Sequence, residues 1–243
     1  MTSDPVWVLL AVVLQDSLFF VLTLGLFWIG VTVLRGFGRS VGYSLAPLGF
    51  SKPGLGYFAG TALGLLIGFG ALAASLLIAP LSRYVLEQLD YSTESTVQAP
   101  FMEGLSEWVG ENPQVAVPAI VAVVVLFGPA VEELVFRGAV FGGLYQLGLL
   151  VSRKLGGKAE GEPNGTGEKV SFALSALFSS VLFALVHQEP VILPVLFVLA
   201  LALCALYRHT KSLLPCFAAH ATFNSFAVLL IILSGLRVLP TPA

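Results

Sequence analysis

The chain has 243 residues, 57% of them hydrophobic and only 11% charged, with a formal net charge of −2 and a mean hydropathy of +0.93. A soluble domain carries roughly 25% charged residues, so too few remain here to build a water-facing surface. The near-neutral balance leaves no basic stripe and gives no case for nucleic-acid binding.

About 20 apolar residues cross the hydrocarbon core as a helix, and the chain offers six such segments. Val6 to Leu34 is the first, interrupted by Gln15 and Asp16; Asp4 precedes it with no Lys or Arg, so no secretory signal is expected. Leu55 to Ala79 is the second and has no interruption. It carries Gly56, Gly60, Gly64 and Gly68 at every fourth position. Such a stripe lets another helix approach closely, either within the monomer or from a second copy in a homo-oligomer. Val115 to Leu150 is the third and is too long for one straight span. A kink or break is expected at Gly128-Pro129, because proline cannot donate to the helix ladder. Ser171 to His187, Val191 to Tyr207 and Leu213 to Leu233 complete the set. The segments predict an all-α polytopic transmembrane helical bundle of about 6–8 membrane segments. Residues 1–114 hold the N-terminal helices and loops, and residues 115–235 the core, within one membrane domain. The two cysteines, Cys204 and Cys216, lie in apolar runs and read as buried thiols.

Loop charge orients the bundle. Arg35, Arg39, Lys52, Arg153, Lys154, Lys158, Lys169, Arg208 and Lys211 fall on one side if the third segment makes one net crossing. The loop from Pro80 to Gln114 carries six acids and only Arg83. The positive-inside rule then places the basic loops in the cytoplasm and the N-terminus outside. A position such as Thr96 would be external, and Lys158 internal. The sequon beginning at Asn164 would lie inside, where it is inert.

Ionisable groups at membrane depth mark a functional site or an internal pair. In Glu132-Glu133-Leu134-Val135-Phe136-Arg137, Glu133 and Arg137 stand at i,i+4 with the acid first, the favourable order for a helical ion pair. Glu132 points about 100° away and has no partner on its own helix. Phe183 and His187 share one helix face, as do His220 and Asn224. Each cluster alone is equally readable as a packing or hydrogen-bonding device. Together they supply what water activation at a carbonyl requires: a base, imidazoles to orient water or metal, and an electrophilic stabiliser. HExxH is absent, which removes the zincin reading.

Gly-Pro-Ala-Val-Glu-Glu-Leu-Val-Phe-Arg-Gly, Phe-x-x-x-His and His-x-x-x-Asn, in that order, resemble the three motifs of the CPBP (Abi) family, which includes type II CAAX prenyl endopeptidases and bacteriocin-processing or immunity proteins. The resemblance covers about Val115 to Leu233. It implies an intramembrane protease with Glu132 as catalytic glutamate, His187 and His220 as essential histidines and Asn224 assisting, while Glu133, Arg137 and Phe183 support them. Glu132, His187 and His220 also make the His₂Glu ligand count of a hydrolytic zinc site. Because Glu133 is needed to hold Arg137, the arithmetic leans toward metal-free activation by Glu132 and one histidine, with the other histidine and Asn224 stabilising the oxyanion. The expected partners are the lipid bilayer and a membrane-associated protein or peptide, prenylated if CAAX-type; the expected location is a prokaryotic cell membrane. A non-proteolytic binding or immunity protein of the same fold and an ion-coupled transporter are the rival readings.

One difficulty attends this site. His187 stands 16 residues into its segment and His220 seven into its own, a depth difference of about 10 Å or more. Either the fourth segment starts nearer Leu177, or the Arg208–Leu214 connection dips into the bundle.

Overall fold

The computed structural model describes residues 5–95, 98–155 and 165–239; Asp4, Thr96, Lys158 and Asn164 lie outside them. Among the described residues the regular structure is helical throughout: α1 (Pro5–Gly36), α2 (Tyr57–Gln88), α3 (Gln98–Glu111), α4 (Pro113–Leu155), α5 (Gly165–Val186), α6 (Leu193–Thr210) and α7 (Leu213–Gly235). All but α3 are long and apolar enough to span a membrane. The outer faces of α1 and α2 expose Leu14, Val21, Leu26, Leu66, Leu76 and Leu77, as a surface meeting hydrocarbon does. The chain is a polytopic helical membrane protein.

α3 occupies part of the stretch read as a plain acidic loop. At 14 residues it is too short to cross. It buries Leu105 and Val109 in a cluster with Leu9 of α1, Ile120 of α4 and Ile231 of α7, while Glu103, Glu107 and Glu111 recur one turn apart along it.

Of the kink or break expected at Gly128-Pro129, a break is absent: α4 is one continuous helical run. Its ladder widens instead. Val121–Phe127 and Leu134–Phe141 are π-helical, with a short α-helical piece, Gly128–Glu133, between them. Widening lets the helix pass a proline without snapping, since a π turn shifts the carbonyl that the ring would strike.

The glycine stripe is used inside the monomer. A Cβ at Gly60 would stand 2.9 Å from Pro53, at Gly64 it would overlap the Pro215 carbonyl, and at Gly68 it would lie 2.5 Å from Ala219 O. α2 therefore seats directly on α7. Of the two readings of the stripe, the intramolecular one is seen: this packing buries Gly60, Gly64 and Gly68. Gly56 precedes the helix at φ 82° and serves the turn.

The depth difference between the histidines is resolved at the start of α7. Thr210, Ser212 and Leu213 are buried, so the α6–α7 turn lies within the bundle. The α1–α2 connection wraps it: Leu213 N donates to Gly49 O at 3.0 Å, Ser212 Oγ to Ser51 O at 2.7 Å and Gly54 N to Thr210 O at 3.0 Å. Irregular backbone is tolerated at depth when protein groups satisfy it in this way.

Candidate active site

Three helices bring the polar clusters together. Glu132 stands on the short α-helical piece of α4, His187 one residue beyond the end of α5, and His220 in the second turn of α7. His187 Nε2 lies 3.9 Å and His220 Nε2 3.8 Å from the same oxygen, Glu132 Oε2. Glu132 and His187 are each 27% exposed, whereas His220 is 2% exposed. The site therefore opens on the Glu132–His187 side.

Both imidazoles are fixed from behind. His187 Nδ1 stands 2.7 Å from the Phe183 carbonyl. A carbonyl only accepts, so Nδ1 carries the hydrogen and the neutral ring offers a lone pair at Nε2. His220 Nδ1 lies 2.9 Å from Glu133 Oε1, a carboxylate–imidazole contact that sets ring orientation. The 3.8–3.9 Å gaps to Glu132 are too long for direct hydrogen bonds and suit a bridging group.

Glu133 does more than the sequence assigned to it. It forms the expected ion pair, with Arg137 Nη1 at 3.0 Å from Oε1 and both side chains fully buried. That same oxygen receives His220. The Arg137 approach is not aligned as a hydrogen bond, and its guanidinium nitrogens make none among the described residues. The guanidinium instead lies over the Phe183 ring, 4.3 Å from the centroid, a cation–π contact. Phe183 is the hub of this layer: its ring meets Phe136 edge-on at 5.2 Å, His187 at 4.8 Å and His220 at 5.5 Å.

Asn224 is one turn beyond His220, and its Nδ2 donates to Val124 O at 3.1 Å. The structure thus gathers Glu132, His187 and His220 around one point and directs the Asn224 amide to the α4 backbone. One further residue belongs to the site. Asp16 of α1 is buried, and its Oδ2 has no hydrogen-bond partner among the described residues. It lines a cavity of about 420 Å³ with Glu132, His187, Gln15 and Gln188. Asp16 Oδ2 and Glu132 Oε1 flank the same edge of Gly128, 3.5 Å and 3.9 Å from where its Cβ would be. The sequence marked Asp16 only as an interruption, although an acid in the middle of a span was itself a signal.

Zinc is the cofactor that the His₂Glu count would admit. Among the described residues no three His, Cys, Asp or Glu side chains are gathered so as to hold a metal ion. The trio as it stands is not a ready ligand set.

The class defined here is a helical membrane protein with a carboxylate facing two imidazoles between its spans. Residues 114–226, the segment that carries the three motifs, match the family model described as Type II CAAX prenyl endopeptidase Rce1-like. A protein of Bacillus subtilis (strain 168) named as a candidate membrane peptidase, YdiL, is 30% identical over 115 residues, 47% of this chain. The match spans 38% of that relative's length. No solved structure matches.

Proposed function

We propose that the chain is an intramembrane endopeptidase that hydrolyses a peptide bond of a membrane-associated substrate. The observation that supports it most is the convergence of two back-tied imidazoles on one oxygen of Glu132. In this reading a water bridges Glu132 Oε2 and His187 Nε2. Glu132 takes the water proton as the water oxygen attacks the peptide carbonyl carbon, a general-base step worth typically 10²–10⁴-fold. The oxygen that becomes negative is met by His220, whose positive form is supported by Glu133 behind it, as a carboxylate supports the imidazolium of a catalytic dyad. Glu132 then gives the proton to the amide nitrogen as the C–N bond breaks, leaving a carboxylate and an amine. Arg137 and Phe183 hold Glu133 and the two rings in place. Among substrates, the family's description favours a prenylated, CAAX-type chain, and the Bacillus relative favours a prokaryotic cell membrane as the site of action.

The test compares membrane proteomes of cells carrying wild-type protein and Glu132→Ala. Unprocessed precursors should accumulate with the variant. Indistinguishable proteomes would favour a binding or transport role.

A further inference from the structure

Asn224 shares a helix face with His220, which invites a role at the reacting carbonyl. The geometry around Pro129 points elsewhere. Across Val121–Phe127 the ladder of α4 runs from residue i to i+5, and Gly128 N donates to Val123 O. The next rung in that register is Val124 O, whose donor would be residue 129. Residue 129 is proline and has no N–H. A carbonyl left empty inside a membrane span is strongly disfavoured, because no water is there to satisfy it. Asn224 Nδ2 reaches that very carbonyl at 3.1 Å.

We propose that Asn224 is a positioning residue that substitutes for the missing Pro129 hydrogen bond and so holds the wide turn that aims Glu132. Glu132 is three residues past Pro129, on the only α-helical piece between the two π runs. If the turn before it closed by one residue, Glu132 would swing by about 100°, away from His187 and His220. α7 thus makes two contacts with α4 from adjacent turns: His220 meets the carboxylates, and Asn224 fixes the phase of the helix that presents them. Pro129 creates the need, and Asn224 meets it from a residue 95 positions later.

This deepens the hydrolase reading, and only the activity arm of its test depends on that reading. Wild type, Asn224→Ala, Pro129→Ala and the double variant are purified in detergent, and melting temperature and peptide-bond cleavage of isolated membranes are measured for each. Replacing the proline with alanine restores an N–H that can serve Val124 O. Asn224→Ala should therefore lower the melting temperature with Pro129 present and change it little in the Pro129→Ala background. Its activity loss, up to about 100-fold for a misplaced catalytic group, should shrink in parallel. Equal losses in both backgrounds would overturn the proposal and leave Asn224 acting on the substrate. Coupled melting temperatures without any cleavage would uphold it and sink the hydrolase reading. If Pro129→Ala fails to fold, Asn224→Leu decides. An apolar residue of similar size carries no penalty of its own in a membrane bundle, so a melting temperature equal to wild type would overturn the proposal, and a clear fall would support it.

Discussion

His220 and Arg137 share a single oxygen: Glu133 Oε1 lies 2.9 Å from His220 Nδ1 and 3.0 Å from Arg137 Nη1. A buried carboxylate that neutralises a guanidinium also orients an imidazole at the candidate site. Removing either partner strands a charge. Arg137→Ala should lower stability by about 3–5 kcal/mol, read by unfolding in detergent. Glu133→Gln keeps the shape but loses the charge, so it should cost stability through Arg137 and activity through His220. A fully stable Arg137→Ala protein would show that the pair contributes nothing to the fold.

The contact of α2 with α7 makes a graded prediction about glycine. Gly64→Ala places a methyl against the Pro215 backbone and Gly68→Ala against that of Ala219, and neither carbonyl can move aside. Overpacking of this kind costs about 1–3 kcal/mol. Gly70 has nothing within 4 Å of its would-be Cβ, so Gly70→Ala should be neutral or stabilising by up to about 1 kcal/mol. Equal melting temperatures for all three would contradict the packing.

Much of this was legible in the sequence because the bilayer forces it: six apolar runs can only be helices, and the polar residues inside them had to face inward. Glu133–Arg137 was legible from i,i+4 spacing. The Glu133–His220 contact was not, since it joins residues 87 apart and no local pattern encodes which helices meet. Gly128-Pro129 read as a kink or break because the missing proline donor is visible locally, whereas its repair by Asn224 comes from a distant helix. The glycine stripe gave its face but not its partner. Asp16 was visible as a charge in a span, but nothing in the first segment told that α1 would deliver it to the cavity beside Glu132.

The basic loops should be cytoplasmic. Cys204 and Cys216 are buried, so a single introduced cysteine reports cleanly. Cysteine at exposed Lys154 should resist a membrane-impermeant maleimide in intact cells, and cysteine at exposed Ser92 should react. The reverse pattern would invert the bundle.

Metal dependence separates the two forms of the mechanism. If Glu132 and one histidine activate water directly, activity should survive dialysis against a strong chelator. One zinc per chain, whose removal abolishes cleavage and whose return restores it, would make Glu132 a ligand and require another base; Asp16 is then the carboxylate in the same cavity.

The central claim is that Glu132 drives the attack of water on a peptide bond. Purified protein is added to membranes from cells lacking it, in oxygen-18 water, and new C-termini are read by mass spectrometry. Wild type should generate peptides carrying one heavy oxygen at the new carboxylate. Glu132→Gln, folded and inserted to the same yield, should generate none. Equal labelling by both proteins would remove Glu132 from the chemistry, and no labelled termini with wild type would contradict hydrolysis of a membrane substrate altogether.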